Sequence, residues 1–184
     1  MKIYDCFLYF DEELLLDVRL NILDKFIDKF VIVESKYSHR GEQRKPTFDI
    51  KKFQKFKNKI EYILLEDNPN NLYEIKDTDN RKNEKIILNG NFREFYQRNA
   101  LALGFKNADK DDLIIISDVD EIPFLENLNF NEIKNQPVFF NQIFCCYKFN
   151  LYSKMNWCGS RMIRKKKLIS PQWLRDIKDK NYSK

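Results

Sequence analysis

Apolar runs of strand length alternate along the chain with segments of helical periodicity. Residues 2–10 and 30–34 are apolar stretches that each fit one strand. Between them Leu16, Leu20 and Leu23 recur at the three- and four-residue spacing of an amphipathic helix. A strand, a helix and a strand in this order predict a βαβ unit, in which the two strands are parallel and the crossover is right-handed.

The same pattern predicts further elements in the first two thirds of the chain. Phe53 and Phe56 on a lysine-rich background indicate a short surface helix, and residues 60–65 form a third apolar run of strand length. Residues 66–83 are irregular and rich in Asp and Asn, which is typical of either a functional flap or a disordered segment. Residues 91–105 are helical in pattern.

The last third is predicted to return to extended structure. Residues 138–149 are mostly apolar and aromatic and predict a buried strand, whereas residues 151–160 resemble a loop that presents Trp157. Residues 161–164 are predicted to be extended again. Since no internal repeat and no linker divides the sequence, we expect residues 1–184 to form a single α/β domain.

The central strand is predicted at residues 113–116, because four consecutive apolar residues, three of them β-branched, lead into Asp118, Asp120 and Glu121 before Pro123. In open α/β sheets, ligands bind beyond the carboxyl ends of the strands. Two carboxylates spaced two residues apart suit Mg²⁺ or Mn²⁺, which commonly take their other ligands from substrate phosphates. The pattern therefore predicts a metal–diphosphate site, and the alternative is that these acids are caps or solvated loop residues.

Three residues outside the acidic cluster are further candidates. Arg98 and Asn99 lie on the predicted helix before the central strand, from which they could reach the same crevice. His39 is the only histidine and lies in a polar loop. A solvated loop residue is the favoured interpretation for His39, with a metal or catalytic role as the alternative.

Composition narrows the classes of protein to consider. The 184 residues are 43% hydrophobic and 15% aromatic, which is typical of a globular chain. The net charge of +5 is spread along the sequence without the concentrated stripe of a nucleic-acid protein, so we expect no nucleic-acid partner. The basic segment 161–167 could face a diphosphate, water or an anionic lipid surface, and the last would be a peripheral membrane contact.

Cysteine usage and the N-terminal sequence predict the cellular setting. The four cysteines form no C-x-x-C pair, which argues against both a zinc site and a disulfide framework. No apolar run has the length of a signal-peptide core or the roughly 20 residues of a transmembrane helix. We therefore expect reduced thiols and a cytoplasmic protein.

Several sequence blocks together carry a family resemblance. The blocks are Tyr4-Asp5-Cys6-Phe7, Glu13-Leu14, Arg19-Leu20, residues 29–34, Gln97-Arg98-Asn99-Ala100, residues 111–113 and 117–123, Trp157-Cys158-Gly159 and Pro171-Gln172. In these blocks and their order the chain resembles glycosyltransferase family 17, the group that contains the β-1,4-mannosyl-glycoprotein β-1,4-N-acetylglucosaminyltransferases. The resemblance implies a GT-A-type α/β sandwich with a mostly parallel central sheet flanked by helices.

The resemblance also implies a reaction and a set of site residues. Asp118 and Asp120 would be the D-x-D motif that holds Mn²⁺ or Mg²⁺ on the diphosphate of a UDP-sugar, and Glu34, Arg98 and Asn99 would contact the nucleotide. The expected activity is the transfer of GlcNAc from UDP-GlcNAc, with inversion, to a glycan acceptor such as an N-glycan or a surface polysaccharide. A carboxylate base would deprotonate the acceptor hydroxyl, but no residue is assigned to that role.

One departure from the family leaves two other functions open. Family members continue beyond Pro171-Gln172 with a Trp-His-Phe-Ser-like segment, so we expect this chain to lack the C-terminal part of the domain. A non-catalytic protein that binds a nucleotide sugar or a carbohydrate is the first alternative. A haloacid-dehalogenase-like phosphatase is the second, although Ile122 stands where that motif has Thr or Val.

Overall fold

The described residues fold around one six-stranded sheet with helices on both faces. The structure is a computed structural model and describes residues 1–145 and 151–177. The elements are β1 (Ile3–Leu8), α1 (Glu13–Leu23), β2 (Lys29–Ser35), β3 (Ile60–Leu65), α2 (Lys82–Ala100), β4 (Leu113–Ser117), β5 (Val138–Cys145), β6 (Tyr152–Arg164) and α3 (Pro171–Asp176). Short 3₁₀ turns lie at Ile50–Phe56, Leu101–Leu103, Phe130–Glu132 and Lys165–Lys167. None of the helices in these ranges is long and apolar enough to span a bilayer.

The sheet is mixed, so the prediction of a mostly parallel sheet is met by its first four strands and not by the whole sheet. Its strand order is β3-β2-β1-β4-β6-β5, and the first four strands in that order are parallel to their neighbours. β6 is antiparallel to both β4 and β5. β5 ends at Cys145 and β6 begins at Tyr152, which leaves too few residues between them for the crossover that two parallel strands need, so these two strands pair antiparallel.

The predicted strands at residues 2–10, 30–34, 60–65 and 113–116 are confirmed, as are the first helix and the short helix at Phe53 and Phe56. The predicted loop at residues 151–160 is wrong, because this segment is the first part of β6. α2 begins at Lys82, well before the predicted start at residue 91, and it follows almost directly on the irregular segment predicted at residues 66–83. Residues 138–149 were predicted to form a buried strand: the strand is confirmed through residue 145, but it is an edge strand with half-buried and exposed side chains, so the predicted burial is wrong. The remainder of that prediction lies outside the described residues.

Both faces of the central strands are buried. On β4, Leu113 and Ile115 pack on the side of α1, whereas Ile114 and Ile116 pack on the side of α2 and α3. All four side chains are fully buried, which explains why the strand has a continuous apolar run instead of an alternating one. Because β1, β2 and β4 are parallel, their carboxyl ends lie at one edge of the sheet, where the acidic cluster begins.

Gly104 marks a close approach between the end of the α2 region and the sheet. A Cβ at this position would meet the Cγ atoms of Val31, which is fully buried on β2. We expect Gly104→Ala to lower the free energy of unfolding by about 1–3 kcal/mol, because overpacking forces side chains and backbone to shift. Urea denaturation measures the loss, and Gly104→Ala combined with Val31→Ala should lose less than the two single losses added together. An additive double variant would contradict the steric explanation.

Candidate active site

The acidic loop, residues 118–121, leaves the carboxyl end of β4 and turns at once. The Glu121 amide donates to the Asp118 carbonyl at 3.1 Å, and the Ile122 amide donates to the Asp120 carbonyl at 3.2 Å. This turn places the side chains of Asp118 and Asp120 at the sheet edge predicted from the sequence.

A buried ion pair holds the backbone of the acidic loop in place. Arg19 Nη1 on α1 donates to the carbonyl oxygens of Asp118, Val119 and Glu121 at 3.0, 3.2 and 2.9 Å. The other edge of the guanidinium donates through Nε and Nη2 to the Asp5 carboxylate on β1, at 2.8 and 2.6 Å. Both side chains are 0% exposed. The first βαβ unit thus fixes the loop through one planar side chain, a role that local sequence patterns did not reveal.

Glu121 is occupied by structural contacts. Its carboxylate accepts hydrogen bonds from the Asp118 amide at 2.8 Å, from Trp157 Nε1 at 3.0 Å and from Arg175 Nη1 at 2.7 Å. Ser160 Oγ donates to the Glu121 carbonyl at 2.6 Å. Trp157 was predicted to lie in a loop, but it lies on β6 and donates a hydrogen bond to this carboxylate. Glu121 therefore shapes the loop and is less available to a ligand than its two neighbouring acids.

Asp118 lies between two arginines from different helices. Its Oδ1 accepts from Arg98 Nη2 on α2 at 3.1 Å, and its Oδ2 accepts from Arg175 Nη2 on α3 at 2.8 Å. Burial lowers the pKa of Arg175, but the carboxylates of Asp118 and Glu121 more than offset this effect and the net pKa is raised. Arg175 lies far from the acidic loop in the sequence, and no motif identified it.

Arg98 also connects the loop to the helices behind it. Its Nη1 donates to Gln172 Oε1 at 2.9 Å and lies 2.7 Å from Glu94 Oε1. Its Nε is buried and has no hydrogen-bond partner among the described residues. Asn99, the neighbouring candidate, points elsewhere: its Oδ1 accepts from the Gln172 amide at 3.1 Å, and it lines a separate pocket of about 200 Å³.

A cavity of about 730 Å³ opens at the carboxyl ends of β1, β2 and β4. Its wall includes three of the five residues predicted to bind ligand or metal, namely Arg98, Asp118 and Asp120. The other lining residues come from the end of β1 and the start of α1, from the end of β2 and the loop after it, from α2 and from the acidic loop: Leu8, Tyr9, Phe10, Glu12, Leu15, Ser35, Tyr37, Ser38, His39, Arg40, Glu42, Glu94, Gln97 and Val119.

Glu34 is not in the wall of this cavity. It is fully buried at the end of β2, and its carboxylate accepts from the amides of Thr47 and Phe48 at 2.7 and 3.1 Å, from Tyr62 Oη at 2.8 Å and from Arg44 Nη1 at 2.9 Å. These contacts fold the loop after β2 back onto the strand. The nucleotide contact predicted for Glu34 stays a prediction.

His39 lies in the wall of the cavity, although it is an exposed loop residue as expected. Its Nε2 is 3.1 Å from Gln97 Oε1, and Gln97 Nε2 donates to the Tyr37 carbonyl at 3.1 Å. Because a carbonyl only accepts, the Gln97 amide is assigned with its oxygen toward His39, which makes Nε2 the protonated nitrogen of the neutral ring. Nδ1 is then left as an acceptor on the ring.

Asp120 is exposed at the cavity, but its carboxyl is a weaker acid than usual. The surrounding protein partly removes water from it, and the carboxylates of Glu121 and Asp118 repel its negative charge, so that its pKa is raised. A raised pKa in the folded state means that ionised Asp120 opposes folding, whereas protonated Asp120 does not.

Asp120→Asn is therefore expected to raise the free energy of unfolding at neutral pH. The gain should shrink as the pH falls through the raised pKa and vanish below the ordinary Asp pKa of about 3.9. Denaturation curves at a series of pH values measure it. Asp111→Asn is the matched control with the opposite sign, because a hydrogen bond from Lys166 lowers the pKa of Asp111. A loss of stability in Asp120→Asn at neutral pH would contradict the electrostatic account.

The donor set allows a divalent cation only in partnership with a ligand. No group of three or more His, Cys, Asp or Glu side chains that could hold a metal occurs among residues 1–145 and 151–177. Two carboxylates, Asp118 and Asp120, face the cavity, and each Asp118 oxygen keeps a free lone pair beside its arginine bond. Mg²⁺ and Mn²⁺ are commonly held by one or two carboxylates together with phosphate oxygens and water, and the residues present fit that mode.

An α/β sheet with a polar cavity at the carboxyl ends of its parallel strands places the protein in the open α/β class, in which ligands generally bind at this edge of the sheet. A family model described as Glycosyltransferase family 17 matches residues 1–160, most of the chain, and the protein belongs to that family. Membership makes it a glycosyltransferase, with nucleotide-sugar and glycan substrates implied. A search of curated proteins and a search of solved structures returned no match.

Proposed function

We propose that the protein is a metal-dependent glycosyltransferase with a GT-A-type fold that transfers GlcNAc from UDP-GlcNAc to a glycan acceptor with inversion. One observation carries the proposal: both acids of the D-x-D sequence and the cationic Arg98 line one cavity at the carboxyl end of the central strand. Acids alone after a strand are common, but two acids and a guanidinium around one cavity match the charges of a cation and a diphosphate.

Asp118 and Asp120 would hold Mn²⁺ or Mg²⁺. When bound, the cation would neutralise the negative charge that develops on the departing diphosphate. Arg98 lies in the same wall and supplies a second positive charge to the phosphate oxygens. Arg19 keeps the loop in one conformation throughout, since its three hydrogen bonds to backbone carbonyls do not involve the acidic side chains.

The rest of the cavity suits a nucleotide sugar. Its volume of about 730 Å³ lies within the range of small-molecule sites in proteins. Tyr9, Phe10 and Tyr37 contribute aromatic faces that can pack on a base or a sugar ring. Glu34 would act on the nucleotide indirectly, because it fixes the loop that carries Tyr37 and His39. Asn99 would also act on the nucleotide indirectly, because it accepts a hydrogen bond from the Gln172 amide on α3.

Calorimetric titration tests the proposal. The chain is titrated with UDP-GlcNAc and with UDP, each in the presence of manganese and of a chelator, and the same sample is assayed for hydrolysis of UDP-GlcNAc. Manganese-dependent binding together with turnover supports the transferase. Binding without turnover supports instead a protein that binds a nucleotide sugar and does not transfer it. Absence of binding contradicts the proposed donor site.

A further inference from the structure

The carboxylate of Asp118, the first acid of the D-x-D sequence, is already paired with two arginines. Arg98 and Arg175 each donate to a different oxygen of Asp118, at 3.1 and 2.8 Å. The two arginines differ in their position: Arg98 lines the cavity, whereas Arg175 is not among the lining residues. Arg175 is bound on its far side to Glu121 and to the Gly159 carbonyl, whereas Arg98 has a buried Nε without a hydrogen-bond partner in the described part of the chain.

This arrangement disfavours a bare divalent cation. A cation bound to Asp118 would lie close to two guanidinium groups, and like charges at such distances repel, more strongly where water is partly excluded. The described residues offer no third metal-ligating side chain at this position that could compensate.

A cation that carries a diphosphate changes this balance. Phosphate oxygens supply the missing ligands, and they also accept hydrogen bonds from guanidinium groups with geometry as good as that of a carboxylate. Arg98 can release Asp118 and still be held, because its Nη1 contacts Glu94 and Gln172. Its Nη2, now on Asp118, is the group that can turn to a phosphate oxygen in the cavity.

We propose that Arg98 exchanges Asp118 for a phosphate oxygen when the cation and the diphosphate bind. Arg98 is then the residue that makes the site specific for a metal–diphosphate over the free metal ion. Arg175 is a positioning residue that remains on Asp118 and Glu121. The inference rests on the proposed donor site and adds to it the form in which the ligand is recognised.

The test compares Arg98→Gln with Arg175→Gln, since both variants remove one positive charge from Asp118 but only Arg98 faces the cavity. Calorimetry measures the affinity for Mn²⁺ alone and for UDP in saturating Mn²⁺. We expect both variants to bind Mn²⁺ alone about tenfold more tightly than the wild-type chain, because a repelling charge is lost. Only Arg98→Gln should bind manganese–UDP about tenfold more weakly, because only it loses a phosphate partner.

Two further variants control for charge and folding. Lys166→Gln removes the same charge from the exposed Lys166–Asp111 pair and should change neither affinity. Arg98→Lys keeps the charge and should leave the affinity for Mn²⁺ alone at the wild-type value, while a single ammonium weakens the manganese–UDP complex. Near-UV circular dichroism of each variant shows whether the native packing is kept. If Arg98→Gln does not fold, Arg98→Lys replaces it as the test variant.

The outcomes separate this inference from the function on which it rests. If the wild-type chain binds manganese–UDP but Arg98→Gln changes both affinities in the same direction, or neither, the exchange is refuted and the donor site remains. Equal behaviour of Arg98→Gln and Arg175→Gln toward manganese–UDP would also refute it. If the wild-type chain binds no manganese–UDP, the proposed function fails and this inference fails with it.

Discussion

Arg19→Met is expected to lower the free energy of unfolding by about 3–5 kcal/mol, which is enough to unfold many domains of this size. The variant leaves the Asp5 carboxylate buried, at 0% exposure, without a partner. It also removes one donor from each of the carbonyl oxygens of Asp118, Val119 and Glu121. The Asp118 carbonyl keeps the Glu121 amide as a donor and the Glu121 carbonyl keeps Ser160 Oγ, so the Val119 carbonyl is the most affected. An unpaired buried charge is among the costliest defects in a folded protein. Urea denaturation at neutral pH measures the loss.

A double variant separates the two parts of this loss. Asp5→Leu with Arg19→Met replaces the ion pair by apolar side chains, which commonly costs little when both charges leave together. The double variant should therefore recover a large part of the stability, and the part that it does not recover reports the three carbonyl oxygens of the acidic loop. If Arg19→Met were as stable as the wild-type chain, the ion pair would contribute nothing to holding the loop.

Asp120→Ala is expected to abolish manganese-dependent binding of UDP while the fold is kept. Asp120 is exposed and makes no ion pair in the described part of the chain, so its removal leaves no buried group unsatisfied. Residues that only hydrogen-bond to a metal ligand typically contribute about 10–100-fold to metal affinity. We therefore expect the loss of a residue that binds the metal directly to lower the affinity by at least about 100-fold. Calorimetric titration with UDP in manganese measures the loss, and a melting curve confirms the fold.

Asp111→Ala is the matched control for this second prediction, because Asp111 is a surface acid paired with Lys166 and lies away from the cavity. It should bind manganese and UDP as the wild-type chain does. Undiminished binding by Asp120→Ala would show that the acids of the loop do not hold the metal, and the family resemblance would then indicate ancestry without that chemistry.

The sequence was most informative where burial and local pattern agree. The run at residues 113–116 predicted a strand buried on both faces, and Asp118 and Asp120 lie at its carboxyl end as expected. The start of α2 was missed because Ile86 and Ile87 lie on its exposed side, where apolar residues obscure the periodicity of the buried face. The first part of β6 was missed because its pairing with β5, and not its own composition, makes it a strand.

The site itself depends on contacts that no local pattern contains. Arg19 reaches the acidic loop across about a hundred positions of sequence, and Arg175 reaches it from the opposite direction across more than fifty. Glu34 shows the reverse case: its place after a strand suggested ligand binding, but the loop that follows β2 returns and saturates its carboxylate. The tertiary fold decides which acid at a sheet edge remains accessible to a ligand. Only the structure shows that Asp120 faces the cavity whereas Glu34 is buried and hydrogen-bonded.

The attachment of the acidic loop to Arg19 has a consequence for the energetics of recognition. A loop whose backbone carbonyls are tied to a side chain buried in the first βαβ unit has lost most of its conformational freedom before any ligand arrives. Binding then does not have to order this segment, and the associated entropic penalty is already part of the folding free energy. Ligand affinity at this edge of the sheet should accordingly follow the charges around Asp118 and Asp120 more closely than the flexibility of the loop that carries them.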